Sequence, residues 1–470
     1  MRINRKLNEE CGIFGVSLTT DEAAGITYNG LLSLQHRGQE GAGIAVVTGN
    51  NHILCVKDVG LVSEVFSDKK LENLQKGSAA VGHTRYSTTG SNIKENVGPF
   101  VTEYLTGRIA TAHNGNITNA KEIRNTLKGY GICFDATSDS EVVSSLIAYC
   151  IMKDRNVISG VVKAADMLRG AFSLVILCEE NKLIAVRDPN GFRPLCLGQN
   201  DAGWIAASES CALDACGFAF VRDVQPGELV VIENGKITHQ SVALEKKESG
   251  RGICIFEYVY FARPDSAIDG LSVYDARYNM GIVLASEYPV DADVVCGVPD
   301  SGLDAANGYS AKSGIPLVTG FVKNRYIGRS FIYPNQSQRT SAVRLKLNPL
   351  KATIRGKRVV LVDDSIVRGT TSEKIVRSLK NAGAKEVHIR ISSPPFRHTC
   401  HYGTDIDNEE NLIANKMSAD EICRECGADS LGYISIEGLK SACAKCVLPF
   451  CTACFTGNNV NSREKKNIFE

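Results

Sequence analysis

The 470-residue chain predicts two domains of different class, an α+β half followed by a doubly wound α/β half built on a parallel sheet. Three observations predict this. Up to about residue 240, short apolar runs alternate with Gly-rich turns and only a few helical stretches. From about residue 252 the pattern becomes strand, turn, helix, strand. Between the two lies the polar stretch Leu244-Glu-Lys-Lys-Glu-Ser-Gly-Arg-Gly252, which reads as a boundary. The expected division is 11–245 and 246–430, with a charged leader at 1–10 and a Cys-rich segment at 431–470.

Taken in order, residues 11–17 are apolar and extended, and 31–35 read as the end of a helix. Residues 139–152 place apolar side chains at 142, 143, 146, 147, 150 and 151, a helical period. Residues 171–177 and 183–186 read as strands paired around the polar turn 179–181. In the second half, 294–296 is a short buried strand, 297–302 a turn and 303–313 a helix. Residues 359–362 are continuously apolar, as in a strand covered on both faces. The loop 363–369 opens a helix over 370–381 with Ile375, Val376 and Leu379 on one face and Gly383 as its stop. Val387, Ile389 and Ile391 alternate as the next strand, 418–426 read as a helix, and the polar end 458–470 is expected to fray.

Composition narrows the function. Lys+Arg number 53 against 52 Asp+Glu, which excludes a strongly basic nucleic-acid binder. No apolar run approaches the roughly 18 residues that span a bilayer, and residues 1–10 lack a secretory apolar region. A cytoplasmic protein without nucleic-acid or membrane partners is expected. Its 17 cysteines are then reduced, metal-bound or catalytic rather than disulfide-paired, and six of them fall between Cys423 and Cys454.

The most informative motif is Val359-Val-Leu-Val-Asp-Asp-Ser-Ile-Val-Arg-Gly-Thr-Thr371. A buried strand delivers Asp363 and Asp364 to the carboxyl end of a parallel sheet, where open α/β folds bind ligands. The loop behind them, Ser365, Ile366, Val367, Arg368, Gly369, Thr370 and Thr371, offers hydroxyls and backbone N–H groups at a helix N-terminus. Acids for ribose hydroxyls beside a phosphate cradle suit a sugar phosphate. The segment resembles the phosphoribosyl pyrophosphate (PRPP) fingerprint of type I phosphoribosyltransferases. That resemblance implies that Ser301, in Val298-Pro-Asp-Ser-Gly302, shares Mg²⁺ with Asp363 and Asp364. It also implies that Lys323 opens a loop, 323–329, that closes on PRPP.

At the front, Glu9-Glu10-Cys11-Gly12-Ile13-Phe14-Gly15 sets a cysteine at the start of a strand. Were residues 1–10 a cleaved propeptide, Cys11 would gain an α-amine of pKa about 7.7–8.0, able to take its own thiol proton. Arg85 can hold a carboxylate bidentately, and Asp139, at a helix start, can hold an ammonium. His113-Asn-Gly-Asn116 reads as a turn offering the Asn114 amide and the Gly115 N–H as oxyanion donors. Together with Leu34-Gln-His-Arg-Gly-Gln-Glu-Gly-Ala-Gly43, these segments resemble the N-terminal-nucleophile (Ntn) hydrolase glutamine amidotransferases, which implies a four-layer αββα domain.

In this order the two halves resemble the amidophosphoribosyltransferase family. The resemblance implies an enzyme of purine synthesis that passes ammonia from glutamine to PRPP. It further implies a homotetramer restrained by AMP, GMP, ADP and GDP.

The cysteines leave two readings open. Cys423 and Cys426, then Cys443 and Cys446, have a zinc-ribbon spacing. One branch of the family instead implies a 4Fe-4S cluster on Cys254, Cys400, Cys451 and Cys454, fastening the C-terminal segment to the body.

Overall fold

The computed structural model describes residues 11–74, 76–86, 92–245, 252–324, 347–404, 406 and 408–457. The leader 1–10, most of the boundary stretch, the loop beyond Asn324 and the tail 458–470 lie outside these residues.

The first domain is built from two antiparallel sheets. Their strands are β1 (Gly12–Leu18), β2 (Gly41–Val47), β3 (Ile53–Val59), β4 (Ala79–Arg85), β5 (Phe100–Tyr104), β6 (Gly107–Ile117), β7 (Gly170–Cys178), β8 (Lys182–Arg187), β9 (Cys196–Asn200), β10 (Gly203–Ala207), β11 (Ala219–Asp223), β12 (Glu228–Glu233) and β13 (Lys236–Val242). One sheet runs β11-β9-β10-β1-β4-β2-β3 and the other β13-β12-β8-β7-β6-β5. Their facing sides share one core, with Ile13, Ala45 and Val81 against Ala112, Val175 and Val230. Helices close both outer faces. Ala23–Ser33 covers the first sheet, while Ala120–Gly129, Asp139–Asp154 and Val157–Met167 cover the second. The layers are therefore αββα. β1 and β7 are buried at nearly every position because both of their faces meet apolar neighbours.

The second domain carries β14 (Ile253–Cys254), β15 (Val294–Gly297), β16 (Arg358–Asp363), β17 (Glu386–Ile391), β18 (Ser430–Tyr433) and β19 (Phe450–Cys451). Strands β15-β16-β17-β18 form a wholly parallel sheet. Val273–Glu287 and Leu303–Ser313 pack on one face, and Thr370–Asn381 and Ala419–Cys426 on the other. Val359, Val360 and Val362 are 0% exposed, and burying each contributes about 1.5–3 kcal/mol. This two-sided cover explains the continuous apolar run read from the sequence.

Two expectations change. Residues 113–116 are not a turn but the end of the long strand β6, in register with β7 through the pairs Asn114–Ser173 and Gly115–Phe172. Gly115 there has φ +142°, and a Cβ would lie 2.0 Å from the Ala171 carbonyl oxygen, so glycine is required. β18 runs across the boundary expected at 430, so the sheet domain continues into the C-terminal segment.

Candidate functional site

On the first domain, Cys11 sits one residue before β1. Its thiol lies 3.4 Å from both the N–H and the carbonyl oxygen of Tyr86, the residue after β4. Its own carbonyl accepts from Arg37 Nε at 3.2 Å. Arg85 ends β4, and its side chain is buried. Burial pulls its guanidinium below its ordinary pKa, against the opposing charges of Cys11, Glu40 and Asp139. Cys11 and Asp139 thus lie within electrostatic reach of Arg85, although 74 and 54 positions separate them from it along the chain.

Asp139 is the first residue of its helix, and the Ser138 hydroxyl caps that helix by accepting the Ser140 N–H. Asp139 Oδ2 accepts the Ile117 N–H at 3.0 Å and so ties down the end of β6. Oδ1 keeps two long hydroxyl contacts, to Ser138 and Ser140, at 3.4 and 3.5 Å. Asn96 fixes the approach to this helix: its Oδ1 accepts the N–H groups of Thr137 and Ser138 at 2.8 and 3.1 Å. The Asn114 side chain is wholly buried, and neither its nitrogen nor its oxygen has a hydrogen-bond partner. Such an orphaned amide is costly unless a ligand completes it.

His83, on β4, lies beneath this cluster and meets the His113 carbonyl at 3.2 Å. Burial, then the Arg85 and His113 charges, push its pKa down to about 3. An unfolded histidine titrates near about 6.5. Between these values the unfolded chain binds the extra proton. The stability from this group is therefore complete above about pH 6.5 and is lost as pH falls, by about 1.4 kcal/mol per unit. Thermal melts on both sides of that pH should show a shallower acid loss for His83→Asn than for the parent chain. Parallel curves would count against His83.

On the second domain, residues 363–372 and Tyr260 line one cavity at the carboxyl end of β16. Asp363 and Asp364 are 5% and 4% exposed. Asp364 accepts the hydroxyls of both Ser301 and Ser365, so the acid pair and Ser301 are brought together. The helix Thr370–Asn381 starts after Gly369, at φ +77°, and has no side-chain cap. Its first amides are left for a ligand. Ile366 is buried in the core and the Ile413 N–H bonds the Val367 carbonyl, so these two offer backbone rather than side chain to a ligand. Lys323 ends the strand Phe321–Lys323 and pairs with Asp300 of the 298–302 turn. Residues 325–329 of the expected closing loop lie outside the described residues.

The cysteines separate by place. Cys423 and Cys426 lie on the Thr370–Asn381 side of the parallel sheet, whereas Cys443 and Cys446 pack on the opposite face, with Tyr258 donating to Cys446 Sγ at 3.3 Å. The zinc-ribbon reading is thereby corrected: the two pairs belong to different cores. Cys254 and Cys451 are instead direct partners between β14 and β19. Cys254, Cys400, Cys451 and Cys454 lie within each other's electrostatic reach, and burial, then these neighbouring thiols, hold Cys454 well above its ordinary pKa. Among the described residues no group of three or more His, Cys, Asp or Glu closes around a single ion. Four thiolates are the ligand set an iron–sulfur cluster takes, and these four are the residues that could supply it.

Three further participants have no sequence signal of their own: Asn96 and Glu209 carry no local motif, and Arg37 lies within Leu34-Gln-His-Arg-Gly-Gln-Glu-Gly-Ala-Gly43. Arg37 pairs with Glu209 at 2.6 Å and with Glu257 at 3.0 Å, all three side chains being 0% exposed.

Comparison with known proteins follows the same division. A family described as glutamine amidotransferase domain matches residues 83–215, and one described as phosphoribosyl transferase domain matches 276–395. The chain is 49% identical to an amidophosphoribosyltransferase of Archaeoglobus fulgidus, over 95% of this chain and 97% of that protein. It is 46% identical to the amidophosphoribosyltransferase of Bacillus subtilis, over 96% and 94%. A solved structure described as the allosteric regulatory enzyme of purine biosynthesis superposes with TM-score 0.87 at 45% identity, over 96% of each chain. The B. subtilis glutamine PRPP amidotransferase complexed with ADP and GMP gives 0.86 at 44%, over 96% of this chain and 97% of that one.

Proposed function

This chain belongs to the amidophosphoribosyltransferase family, and from that premise we propose how its own residues carry the reaction. It transfers the amide nitrogen of glutamine to PRPP in purine biosynthesis. Glutamine, water and PRPP give glutamate, 5-phosphoribosylamine and pyrophosphate.

The observation that carries the reading is that the Cys11 thiol contacts the backbone of Tyr86, the residue after Arg85, whose charge Cys11 and Asp139 both oppose. Arg85 holds the α-carboxylate of glutamine and Asp139 its ammonium, which presents the side-chain amide to Cys11. The Cys11 thiolate attacks the amide carbon, and the oxygen that becomes negative is received by the Asn114 amide and the Gly115 N–H. The C–N bond breaks, ammonia leaves with the thiol proton, and water then cleaves the thioester to glutamate. Removal of residues 1–10 frees the α-amine that takes and returns this proton.

In the second domain, Asp363 and Asp364 hold the ribose hydroxyls, and residues 365–371 cradle the 5′-phosphate. Lys323 exchanges Asp300 for the diphosphate. Ammonia attacks C1 of the ribose and pyrophosphate departs. The oxygen set of Ser301, Asp363 and Asp364 suits Mg²⁺, which when bound neutralises diphosphate charge.

Cys254, Cys400, Cys451 and Cys454 hold a 4Fe-4S cluster that ties the β19 segment to the start of the second domain. The ADP and GMP of the B. subtilis complex support feedback by purine nucleotides. AMP and GDP as further effectors, a homotetramer and a cytoplasmic location follow from the family resemblance alone. Among the described residues no helix is long and apolar enough to cross a membrane.

One preparation tests this reading. Protein purified without oxygen should begin at Cys11, contain four irons per chain and release pyrophosphate from PRPP only with glutamine or ammonia. Zinc in place of iron would overturn the cluster, and an intact leader on active protein would overturn the processing. Tight DNA binding without pyrophosphate release would favour a PRPP-sensing regulator.

A further inference from the structure

We propose that Glu257, supplied by the second domain, is a positioning residue for the nucleophile of the first, a role that rests on Cys11 being that nucleophile. Glu257 stands three residues after Cys254 and three before Tyr260, which lines the 363–372 cavity. Its carboxylate takes both terminal nitrogens of Arg37, Nη1 on Oε2 and Nη2 on Oε1, each at 3.0 Å. Arg193 Nη1 adds a third donor at 3.2 Å, and Arg37 Nη1 also reaches Glu209 at 2.6 Å. Arg37, Arg193, Glu209 and Glu257 are all 0% exposed, so two cations and two anions balance out of water.

A guanidinium is a rigid planar fork. With its terminal nitrogens fixed by Glu257 and Glu209, the direction of Nε is fixed as well, and Nε donates to the Cys11 carbonyl at 3.2 Å. That bond matters most when Cys11 is a chain terminus, because a terminal residue frays unless it is tied down. The thiol contacts at Tyr86 hold the side chain, and Arg37 holds the backbone behind it. Glu209 of the first domain meets only Nη1, whereas Glu257 of the second meets both terminal nitrogens and so sets the plane of the fork.

Glu257→Gln keeps the shape and removes the charge. The expected result is a fall of about 10- to 100-fold in kcat for glutamine-dependent synthesis, the scale of a misplaced reacting group. The KM for glutamine should stay within about twofold, because Arg85 and Asp139 are untouched, and ammonia-dependent kcat should also stay within about twofold. Equal loss with glutamine and ammonia means a packing role and overturns the proposal. So does an unchanged kcat, or a change confined to KM. Should Glu257→Gln not fold, Glu257→Asp carries the test. It keeps the charge one methylene short, and an unchanged ratio of glutamine to ammonia activity overturns the idea. Cys11→Ala in the same assay separates the two readings. If Cys11→Ala keeps glutamine activity, the nucleophile assignment fails. If Cys11→Ala loses it while both Glu257 variants keep it, only the role of Glu257 fails.

Discussion

Cys11→Ala is expected to lose glutamine-dependent synthesis of phosphoribosylamine by about 10⁴- to 10⁶-fold, the scale seen when an acyl-transfer nucleophile is removed. Ammonia-dependent synthesis should persist. The physical reason is the division of labour between domains. Cys11 touches Tyr86 and Arg37 and lies before β1, whereas the cradle of residues 363–372 is built on the parallel sheet of the other domain. Alanine removes only a thiol at a half-buried position, so it leaves no large cavity and the αββα core should stand. Steady-state assays with glutamine and with ammonium salts, on the same preparation, check this. Persistence of both activities would remove Cys11 from the mechanism.

Asp364→Asn should affect both nitrogen sources alike. Asp364 is 4% exposed and accepts the hydroxyls of Ser301 and Ser365. An asparagine can accept at one of these positions but must present an NH₂ donor at the other, against a hydroxyl that can still turn. The fold therefore survives, while the negative charge proposed to face ribose and cation is lost. A loss of about 10²- to 10³-fold is expected, comparable to removing one strong electrostatic contact in an active site. Pyrophosphate release with glutamine and with ammonia should fall together, because the transfer step is common to both. A loss confined to glutamine would place Asp364 outside the PRPP site.

Much of this was legible from local sequence. The order of apolar strand, acid pair, Ser/Gly/Thr loop and amphipathic helix occupies one continuous stretch, 359–381, and each part follows from its neighbours. The helices Leu303–Ser313 and Thr370–Asn381 appear at their expected limits because glycine and the apolar period mark them. Segment 113–116 reads as a turn from sequence because its glycine resembles a turn residue. Only pairing with β7 shows that a positive-φ glycine sits within a strand.

What the sequence determined by itself is the class of the two domains and the strand, acid pair, loop and helix that form the cavity at residues 363–372. What only the tertiary structure decided is which distant groups meet. Arg37 reaches Glu257 across 220 positions, Asn116 donates to the His401 carbonyl across 285, and Cys254 is set beside Cys451 through β14 and β19. The same contacts sort the surplus cysteines, placing Cys423 and Cys426 on one face of the sheet and Cys443 and Cys446 on the other. The reason is physical. Local propensity and period act over a turn or a strand, whereas buried ion pairs and thiol clusters exist only once two complete cores have packed against each other.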